Sequence, residues 1–308
     1  MIQVQNLTKY YGDRVAIRDV SFQVKKGEIL GFLGPNGAGK TTTMRILTAY
    51  MPPTDGVATV GGYDVFTHSL EVRKRVGYLP ESVPIYDDMT VWGYLDYVAA
   101  LRKVDNRAGR VQDALAKVGL IDHARLRIGK LSKGMRQRVG IAQAIVHDPE
   151  VLILDEPTIG LDPKQIIEVR QLIRDLGGEH TIILSTHILS EVEQICNRVL
   201  IINKGRIVAE DTPAGLTTRL EGGERVRLHT VKAAANAVEI LAALPEVEHV
   251  TLVTPNIFEI ECVTCTNCRP ILAQLVVEQG WGLLELRAID ASLEDIFLEL
   301  TADHKADQ

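Results

Sequence analysis

The chain has 308 residues, a length that accommodates about two domains of ordinary size. It is 46% hydrophobic and 24% charged, and its net charge of −6 argues against a nucleic-acid partner, because phosphate contacts require a basic surface. No uninterrupted apolar run approaches the roughly 18–20 residues that span a bilayer, and the first residues lack the pattern of a signal peptide.

The amino-terminal segment, residues 1–28, alternates apolar and polar side chains and predicts antiparallel strands. Tyr10 and Tyr11 stand just before Gly12. An exposed aromatic at this place stacks well on a flat adenine ring, whereas a strand tyrosine that merely packs is equally common. The residues alone leave both interpretations open for Tyr11.

A glycine-rich loop follows, between a predicted short strand at 28–33 and a predicted helix that starts near Lys40. The loop fits the pattern G-x-x-x-x-G-K-[ST] and consists of Gly34, Pro35, Asn36, Gly37, Ala38, Gly39, Lys40, Thr41 and Thr42. Glycine lets backbone amides approach anionic oxygens, Lys40 supplies charge for the β- and γ-phosphates, and Thr41 offers a hydroxyl to Mg²⁺. This setting predicts a nucleotide-binding protein rather than a simple turn.

The next segment combines short strands with a cluster of aromatic residues. Strands are predicted at 57–60 and 75–79, followed by a helix whose apolar positions, Val91, Leu95, Val98 and Leu101, share one face. The neighbouring aromatics are Tyr86, Trp92, Tyr94 and Tyr97. They either join the core or form a docking surface for a partner. Residues 105–128 are polar and helical in pattern.

Two apolar strands then end in polar residues. The strand at 151–154 ends at Asp155 and Glu156, and the strand at 181–186 ends at His187. Because α/β sheets place ligands at the carboxyl ends of parallel strands, Asp155 is suited to Mg²⁺ and Glu156 to polarising the attacking water. A lone histidine is usually structural, but at this place His187 is also suited to donate to a γ-phosphate.

Two further turns lead into helices. The stretch Leu131-Ser132-Lys133-Gly134-Met135 begins one helix, for which Ser132 is a good N-cap. Gly160-Leu161-Asp162-Pro163 begins another.

With these pieces in order, residues 1–215 resemble the ATP-binding subunit of an ABC transporter. The parts that carry the resemblance are the Walker A loop at 34–42, the signature at 131–138, the Walker B strand and glutamate at 151–156, the D-loop at 160–162 and the switch histidine His187. The resemblance implies a P-loop NTPase of the ABC type, α/β in class, with an antiparallel β subdomain, a parallel-sheet core and a helical signature subdomain. It also makes Tyr11 the adenine-stacking aromatic.

The same resemblance implies ATP with Mg²⁺ as cofactors and a second ATPase protomer, identical or similar, as a partner. Two such domains pair head to tail, so that Ser132 and Gly134 serve the γ-phosphate of the opposite protomer, in a composite site that includes Asp162. Lys40, Glu81, Glu156 and His187 are expected to act in catalysis, and Thr41, Glu81 and Asp155 to hold the metal. Membrane permease subunits are the second expected partner, which places the chain on the cytoplasmic face of the cell membrane.

The chain departs from the family pattern at the signature and at Glu81. Glu81 stands where the family usually has glutamine, a residue that touches Mg²⁺ and links hydrolysis to the membrane subunit. A carboxylate ligates Mg²⁺ but adds negative charge. The form Gly77-Tyr78-Leu79-Pro80-Glu81 is similar to exporter-type ABC-2 ATPases, including the gliding-motility and multidrug/sodium export groups. Lys133 and Met135 replace glycine and glutamine in the signature.

The tail predicts a linker at 216–224 and an accessory α+β domain at 225–308. Its pattern is βαββαβ followed by an amphipathic helix at 292–301, which suggests a ferredoxin-like sandwich. We find no catalytic constellation in it. Export ATPases of the ABC-2 type often carry a similar tail.

Cys262, Cys265 and Cys268 form C-x₂-C-x₂-C, part of an iron–sulfur pattern whose fourth ligand is missing. Cys196 is distant in the sequence, and buried thiols are ordinary at strand and helix ends. A P-loop implies the cytosol, where thiols stay reduced.

The leading hypothesis is therefore an ATP-hydrolysing subunit that drives a membrane protein docked near residues 81–97. One alternative is a soluble ABC ATPase of translation or DNA repair. Another is a nucleotide-binding regulator of low turnover, which the carboxylate of Glu81 leaves open.

Overall fold

The structure, a computed structural model, describes residues 1–219, 225–263, 268–289 and 297. The chain divides into two compact units, Met1–Pro213 and Ala214–Gln308. Within the described residues, no helix is both long enough and apolar enough to cross a bilayer. The helix predicted at 292–301 lies outside the described part of the chain, Phe297 excepted.

The first unit alternates strands and helices. Its strands are β1 (Ile2–Tyr11), β2 (Arg14–Val24), β3 (Ile29–Leu33), β4 (Asp55–Val60), β5 (Tyr63–Asp64), β6 (Val76–Leu79), β7 (Val151–Asp155), β8 (Thr181–Thr186), β9 (Arg198–Asn203) and β10 (Arg206–Asp211). Its helices are α1 (Lys40–Leu47), α2 (Ser69–Arg75), α3 (Val91–Leu101), α4 (Arg107–Lys117), α5 (Lys133–Ile145), α6 (Pro163–Gly177) and α7 (Leu189–Ile195). The predicted strands and the predicted helix after the glycine-rich loop are confirmed.

An antiparallel sheet of order β2-β1-β4-β5 faces a second sheet across one core. Alternating side chains of β1 and β2, such as Val4 and Phe22, are buried while their neighbours are exposed. This pattern is typical of a sheet with one face on the core and the other exposed to solvent. Phe22 packs on Phe32 of β3, with ring centroids 5.6 Å apart. Met44 of α1 belongs to the same core, so the helix after the glycine-rich loop is anchored between the sheets.

The second sheet has the order β10-β9-β3-β8-β7-β6, and all its pairs are parallel except β10 with β9. Every residue of β3, β7 and β8 is buried. Uninterrupted apolar strands of this kind belong to the centre of a sheet that is covered on both faces. The predicted α/β class, with an antiparallel part and a parallel core, is confirmed.

A helical region carries the predicted signature. Ser132 caps α5 by accepting a hydrogen bond from the Met135 amide at 3.2 Å, and Thr90 caps α3 in the same way. The core face of α3 is shorter than its pattern predicts, because Leu95 is buried whereas Leu101, at the end of the helix, is exposed.

The second unit contains β11 (Arg225–Thr230), α9 (Ala237–Ala242), β12 (Val247–Thr254), β13 (Ile257–Cys262), α10 (Arg269–Glu278) and β14 (Leu283–Ile289). This is the predicted βαββαβ order. The sheet has the order β12-β13-β11-β14 with antiparallel pairs throughout, and its core stacks Phe258 on Trp281. The ferredoxin-like assignment stays a prediction, as do the limits of the two predicted domains at 1–215 and 225–308.

Two expectations for the tail are corrected. Helix α8 (Pro213–Arg219) occupies the first part of the predicted linker at 216–224. Cys262 and Cys268 are joined by a disulfide, so the expectation of reduced thiols is wrong for this pair. Neither thiol remains to ligate a metal. Cys265 lies outside the described residues, and Cys196 is buried, which raises the pKa of its thiol.

Candidate nucleotide-binding site

The carboxyl ends of parallel strands meet at one edge of the central sheet. Strand β3 runs into the glycine-rich loop, β7 ends at Asp155, β8 is followed directly by His187, and β6 ends two residues before Glu81. Because β6, β7, β8 and β3 are adjacent and parallel, the structure brings these groups together. This edge is where open α/β sheets bind ligands.

A cavity of about 500 Å³ opens at this edge. The predicted residues that line it are Tyr11, Asn36, Gly37, Gly39, Lys40, Thr41, Thr42, Glu81 and Glu156. The other predicted residues, Gly34, Pro35, Ala38, Asp155 and His187, are not among the residues that line it. The volume lies in the range of small-molecule sites.

Two positions of the loop accept only glycine. A Cβ atom at Gly34 would lie 2.8 Å from Ile202 Cγ2, and one at Gly39 would lie 2.6 Å from Ile17 Cγ2. Gly39 also has φ 112°, in the left-handed region. Helix α1 starts at Lys40, and no side chain caps its first turn. The helix therefore presents its positive end and its first amides to an anion.

Lys40, Glu156 and His187 form a chain of polar contacts. Lys40 Nζ lies 3.3 Å from Glu156 Oε1 and donates to the carbonyl oxygen of Gly34 at 2.7 Å. The other carboxylate oxygen, Oε2, lies 2.8 Å from Nδ1 of His187. Lys40 and Glu156 are both buried. These contacts fix the Glu156 carboxylate, whose chemistry is that of a base toward a water molecule.

The backbone at Glu156 is in a conformation that non-glycine residues rarely adopt, with φ 51°. Its amide donates to the carbonyl oxygen of Ser185 at 2.9 Å, a bond that ties the turn after β7 to β8. Strained backbone of this kind persists where the surrounding structure over-determines it, and it is concentrated at functional sites.

Asp155 has the features of a metal ligand. Its carboxylate is completely buried, and neither oxygen makes a hydrogen bond of good geometry with a described group. Burial raises the pKa of Asp155, the nearby hydroxyls of Ser185 and Thr41 lower it in part, and the charges of Glu156 and Glu81 raise it further. A divalent cation would supply the missing partner, so Asp155, with Thr41 and Glu81, fits Mg²⁺.

The rest of the metal shell would come from phosphate. Among the described residues, no group of three or more His, Cys, Asp or Glu side chains could hold a metal ion. Mg²⁺ characteristically takes one or two carboxylates together with substrate phosphates rather than an all-protein cage.

The predicted signature residues lie apart from this cavity. Ser132, Gly134 and Asp162 line a second cavity of about 340 Å³, which shares no lining residue with the first. Asp162 caps α6 by accepting from the Gln165 amide at 2.9 Å. The hydroxyl of Ser132 accepts from Met135 and keeps its own hydrogen for a donated bond.

Five lining residues of the first cavity were missed by the sequence analysis: Arg14, Val15, Ala16, Arg45 and Ile159. Arg45 was detectable, because it follows Thr41 by four positions on α1 and so lies on the same helix face. The others face the site only because β2 and the turn after β7 fold over it.

Comparison with known proteins identifies the class. The ABC transporter family model matches residues 17–159. The linearmycin resistance ATP-binding protein LnrL of Bacillus subtilis (strain 168) is 33% identical over 98% of both chains. The Nod factor export ATP-binding protein I of Burkholderia orbicola (strain AU 1054) is 34% identical over 99% of this chain and 98% of its own.

A solved structure shows the same fold. It is the dimeric ATP-binding cassette MJ0796 in a post-hydrolysis state bound to ADP and Pi, 23% identical, with a TM-score of 0.63 over 69% of this chain and 98% of the other. The chain belongs to the family of ABC transporter ATP-binding proteins. It is an ATP-binding, ATP-hydrolysing subunit of a transporter, and the soluble alternative of translation or DNA repair is not supported.

Replacement of Tyr11 tests the adenine site. Tyr11 lines the cavity and is 45% exposed, whereas Tyr10 is 38% exposed and does not line it. Because base stacking on an aromatic ring contributes about 1–3 kcal/mol, Tyr11→Ala should weaken ATP binding by a factor between about 5 and about 160, and Tyr11→Phe should not. Equilibrium dialysis with labelled ATP measures this, with Tyr10→Ala as the matched control. Equal losses in both alanine variants would contradict the assignment.

Proposed function

We propose that the chain powers export through separate membrane subunits and that its catalytic unit is a head-to-tail dimer. The observation that carries this proposal is the division of the predicted ATP ligands between two cavities of one chain. The nucleotide cavity contains the P-loop, and the second cavity contains Ser132 and Gly134. Pairing of two chains brings one of each cavity to a single ATP.

The roles within each composite site follow from the contacts. Tyr11 stacks on adenine, the amides of the P-loop and Lys40 hold the phosphates, and Ser132, Gly134 and Asp162 are contributed by the partner protomer. Thr41, Asp155 and Glu81 would hold Mg²⁺, which when bound neutralises phosphate charge. The dimeric, ADP- and Pi-bound state of the related cassette supports this arrangement.

Hydrolysis requires a water molecule to attack the γ-phosphorus while the bond to the β–γ bridging oxygen breaks. Glu156 accepts the proton of that water, and Lys40 and His187 hold its carboxylate in position, at 3.3 Å and 2.8 Å. His187 is partly exposed. Because its Nδ1 faces the Glu156 carboxylate, Nε2 would donate to the γ-phosphate when both ring nitrogens carry hydrogen.

The export direction rests on relatives, among them a Nod factor export protein and a linearmycin resistance protein. The docking surface for the permease is proposed at residues 81–97, on the cytoplasmic side of the membrane. Tyr86, Trp92 and Tyr97 are exposed there, and the rings of Tyr86 and Tyr97 meet edge to face. Tyr94 belongs instead to the core, where its hydroxyl donates to the carbonyl oxygen of Pro84 at 3.1 Å.

Glu156→Gln should separate ATP binding from ATP hydrolysis. The amide keeps the size of the side chain but cannot accept the proton, so kcat should fall at least about a hundredfold while the Kd for ATP changes little. Steady-state ATPase assays and equilibrium dialysis measure the two quantities. Glu193→Gln, on the exposed face of α7, is the control. Residual turnover close to that of the unsubstituted chain would identify a regulator of low turnover instead.

Complementation tests the head-to-tail dimer. Lys40→Ala damages the P-loop and Gly134→Asp damages the signature, so each variant alone should be inactive. In a mixed dimer, the intact P-loop of one chain meets the intact signature of the other, and one whole site results. The mixture should hydrolyse ATP well above the sum of the separate variants. Activity that stays at that sum would show that both damaged parts serve the same ATP.

Affinity purification tests the permease. The tagged protein, recovered from detergent-solubilised membranes of its host, should bring with it an integral membrane protein of several spans. Tyr97→Asp should reduce that recovery and leave ATP hydrolysis intact, since a new charge disrupts an aromatic surface. Phe66→Asp, at another exposed aromatic, should change neither quantity. Recovery of ribosomes or DNA-repair proteins in place of a membrane protein would overturn the transporter assignment.

A further inference from the structure

A third cavity, of about 530 Å³, lies between the segment after β6 and the start of α5. Four charged side chains line it, namely Glu81, Asp87, Lys133 and Arg136. The cavity shares Glu81 and Ile159 with the nucleotide cavity, so the two adjoin. Two of its charges, Glu81 and Lys133, are the positions at which the chain departs from the family pattern.

The other two charges of the third cavity lie near each other. Arg136 Nη1 lies 3.9 Å from Asp87 Oδ1, and Arg136 Nη2 donates to the carbonyl oxygen of Gly129 at 2.9 Å. Glu81 and Lys133 make no ion pair or side-chain hydrogen bond with the described part of the chain. One carboxylate and one ammonium group therefore face the same cavity without partners of their own.

The side chain of Lys133 turns toward this cavity. Its ammonium group lies against Gly160, so close that a Cβ atom at this glycine would clash with it. Lys133 does not line the second cavity, although its neighbours Ser132 and Gly134 both do. The Lys133 side chain therefore lies outside the surface that is proposed to contact the ATP of the partner protomer.

The helix that begins at Lys133 does not stabilise the positive charge of this lysine. Lys133 is the first residue of α5, and no acidic residue occupies the first turn. A cation beside the positive end of a helix is unfavourable, so the residue violates a local rule with no local compensation. Such violations are concentrated at functional sites.

Glu81, in contrast, lies near other negatively charged groups. Its charge and that of Glu156 both act on Asp155, and the phosphates of ATP would add to them. Of the cations in the nucleotide cavity, Lys40 is held by Glu156 at 3.3 Å, and Arg14 and Arg45 line the same cavity as Glu81. Lys133 adds a cation on the side of Glu81 that faces the third cavity.

We propose that Lys133 is a positioning residue that acts through Glu81, whose negative charge it offsets across the third cavity. The inference rests on the proposed function of Glu81 in the ATP site. It explains how glutamate serves at a position where glutamine is usual, because the signature supplies the compensating charge. Through Gly160 the same lysine contacts the segment that leads to Asp162.

A double-mutant cycle tests the pair. Glu81→Gln, Lys133→Met and the double variant are compared for kcat and KM of ATP with Mg²⁺. Lys133→Met should lower kcat about fivefold when Glu81 is present and less than about twofold in the Glu81→Gln background. Lys133→Arg should retain activity, and the effect should shrink at high salt, since exposed charges are screened. Lys130→Met, an exposed lysine three residues earlier, should change nothing.

ATP binding gives a second measurement of the same double-mutant cycle, one that does not depend on hydrolysis. In the Glu156→Gln background, the Kd for ATP is followed against Mg²⁺ concentration by equilibrium dialysis. Lys133→Met should raise the Mg²⁺ requirement only where Glu81 is kept. Equal effects in both backgrounds, in rate and in binding, would overturn the inference and assign Lys133 to another contact. A chain that binds ATP but does not hydrolyse it would count against the proposed function. The binding measurements would still show whether Lys133 acts through Glu81.

Discussion

The buried contact between Lys40 and Glu156 is the interaction on which the site depends. It joins the start of α1 to the end of β7, although β8 lies between β3 and β7 in the sheet. Two charges withdrawn from water are costly unless each is paired and hydrogen-bonded. Here Lys40 also donates to Gly34, and His187 contacts the second oxygen of Glu156. The loop proposed to bind phosphate and the proposed base are therefore held as one unit.

This unit depends in turn on the two-sheet core. Helix α1 is fixed because Met44, Ile46 and Leu47 are buried between the sheets, so the positive end of the helix cannot drift from the strand ends. Substrate charge is met by groups whose positions are set before binding, which is the arrangement that stabilises developing charge most effectively. The second cavity has no such unit of its own, and in the proposed dimer it completes the site of the partner.

Acidic and basic groups offset each other at the edge of the nucleotide cavity. Three acidic groups lie beside the proposed phosphate position, namely Asp155, Glu156 and Glu81. Burial raises the pKa of Asp155. Lys40 and, in our proposals, Mg²⁺ and Lys133 offset this charge. The departures at Glu81 and Lys133 then form one feature of the chain rather than two unrelated changes, and they connect the segment proposed to meet the permease with the signature helix.

The sequence by itself determined the parts that depend on local pattern: the glycine-rich loop between strand and helix, the buried strands ending at Asp155 and His187, and the cap at Ser132. Local periodicity and cap chemistry act over a few residues, so they are visible without the fold. The tertiary structure alone decided which strands are neighbours, that Glu156 contacts both Lys40 and His187, that Arg14 faces the nucleotide cavity and that Glu81 and Lys133 share another. It also decided the Cys262–Cys268 disulfide. These contacts join residues far apart in the chain, and their distances follow from packing, which no local pattern encodes.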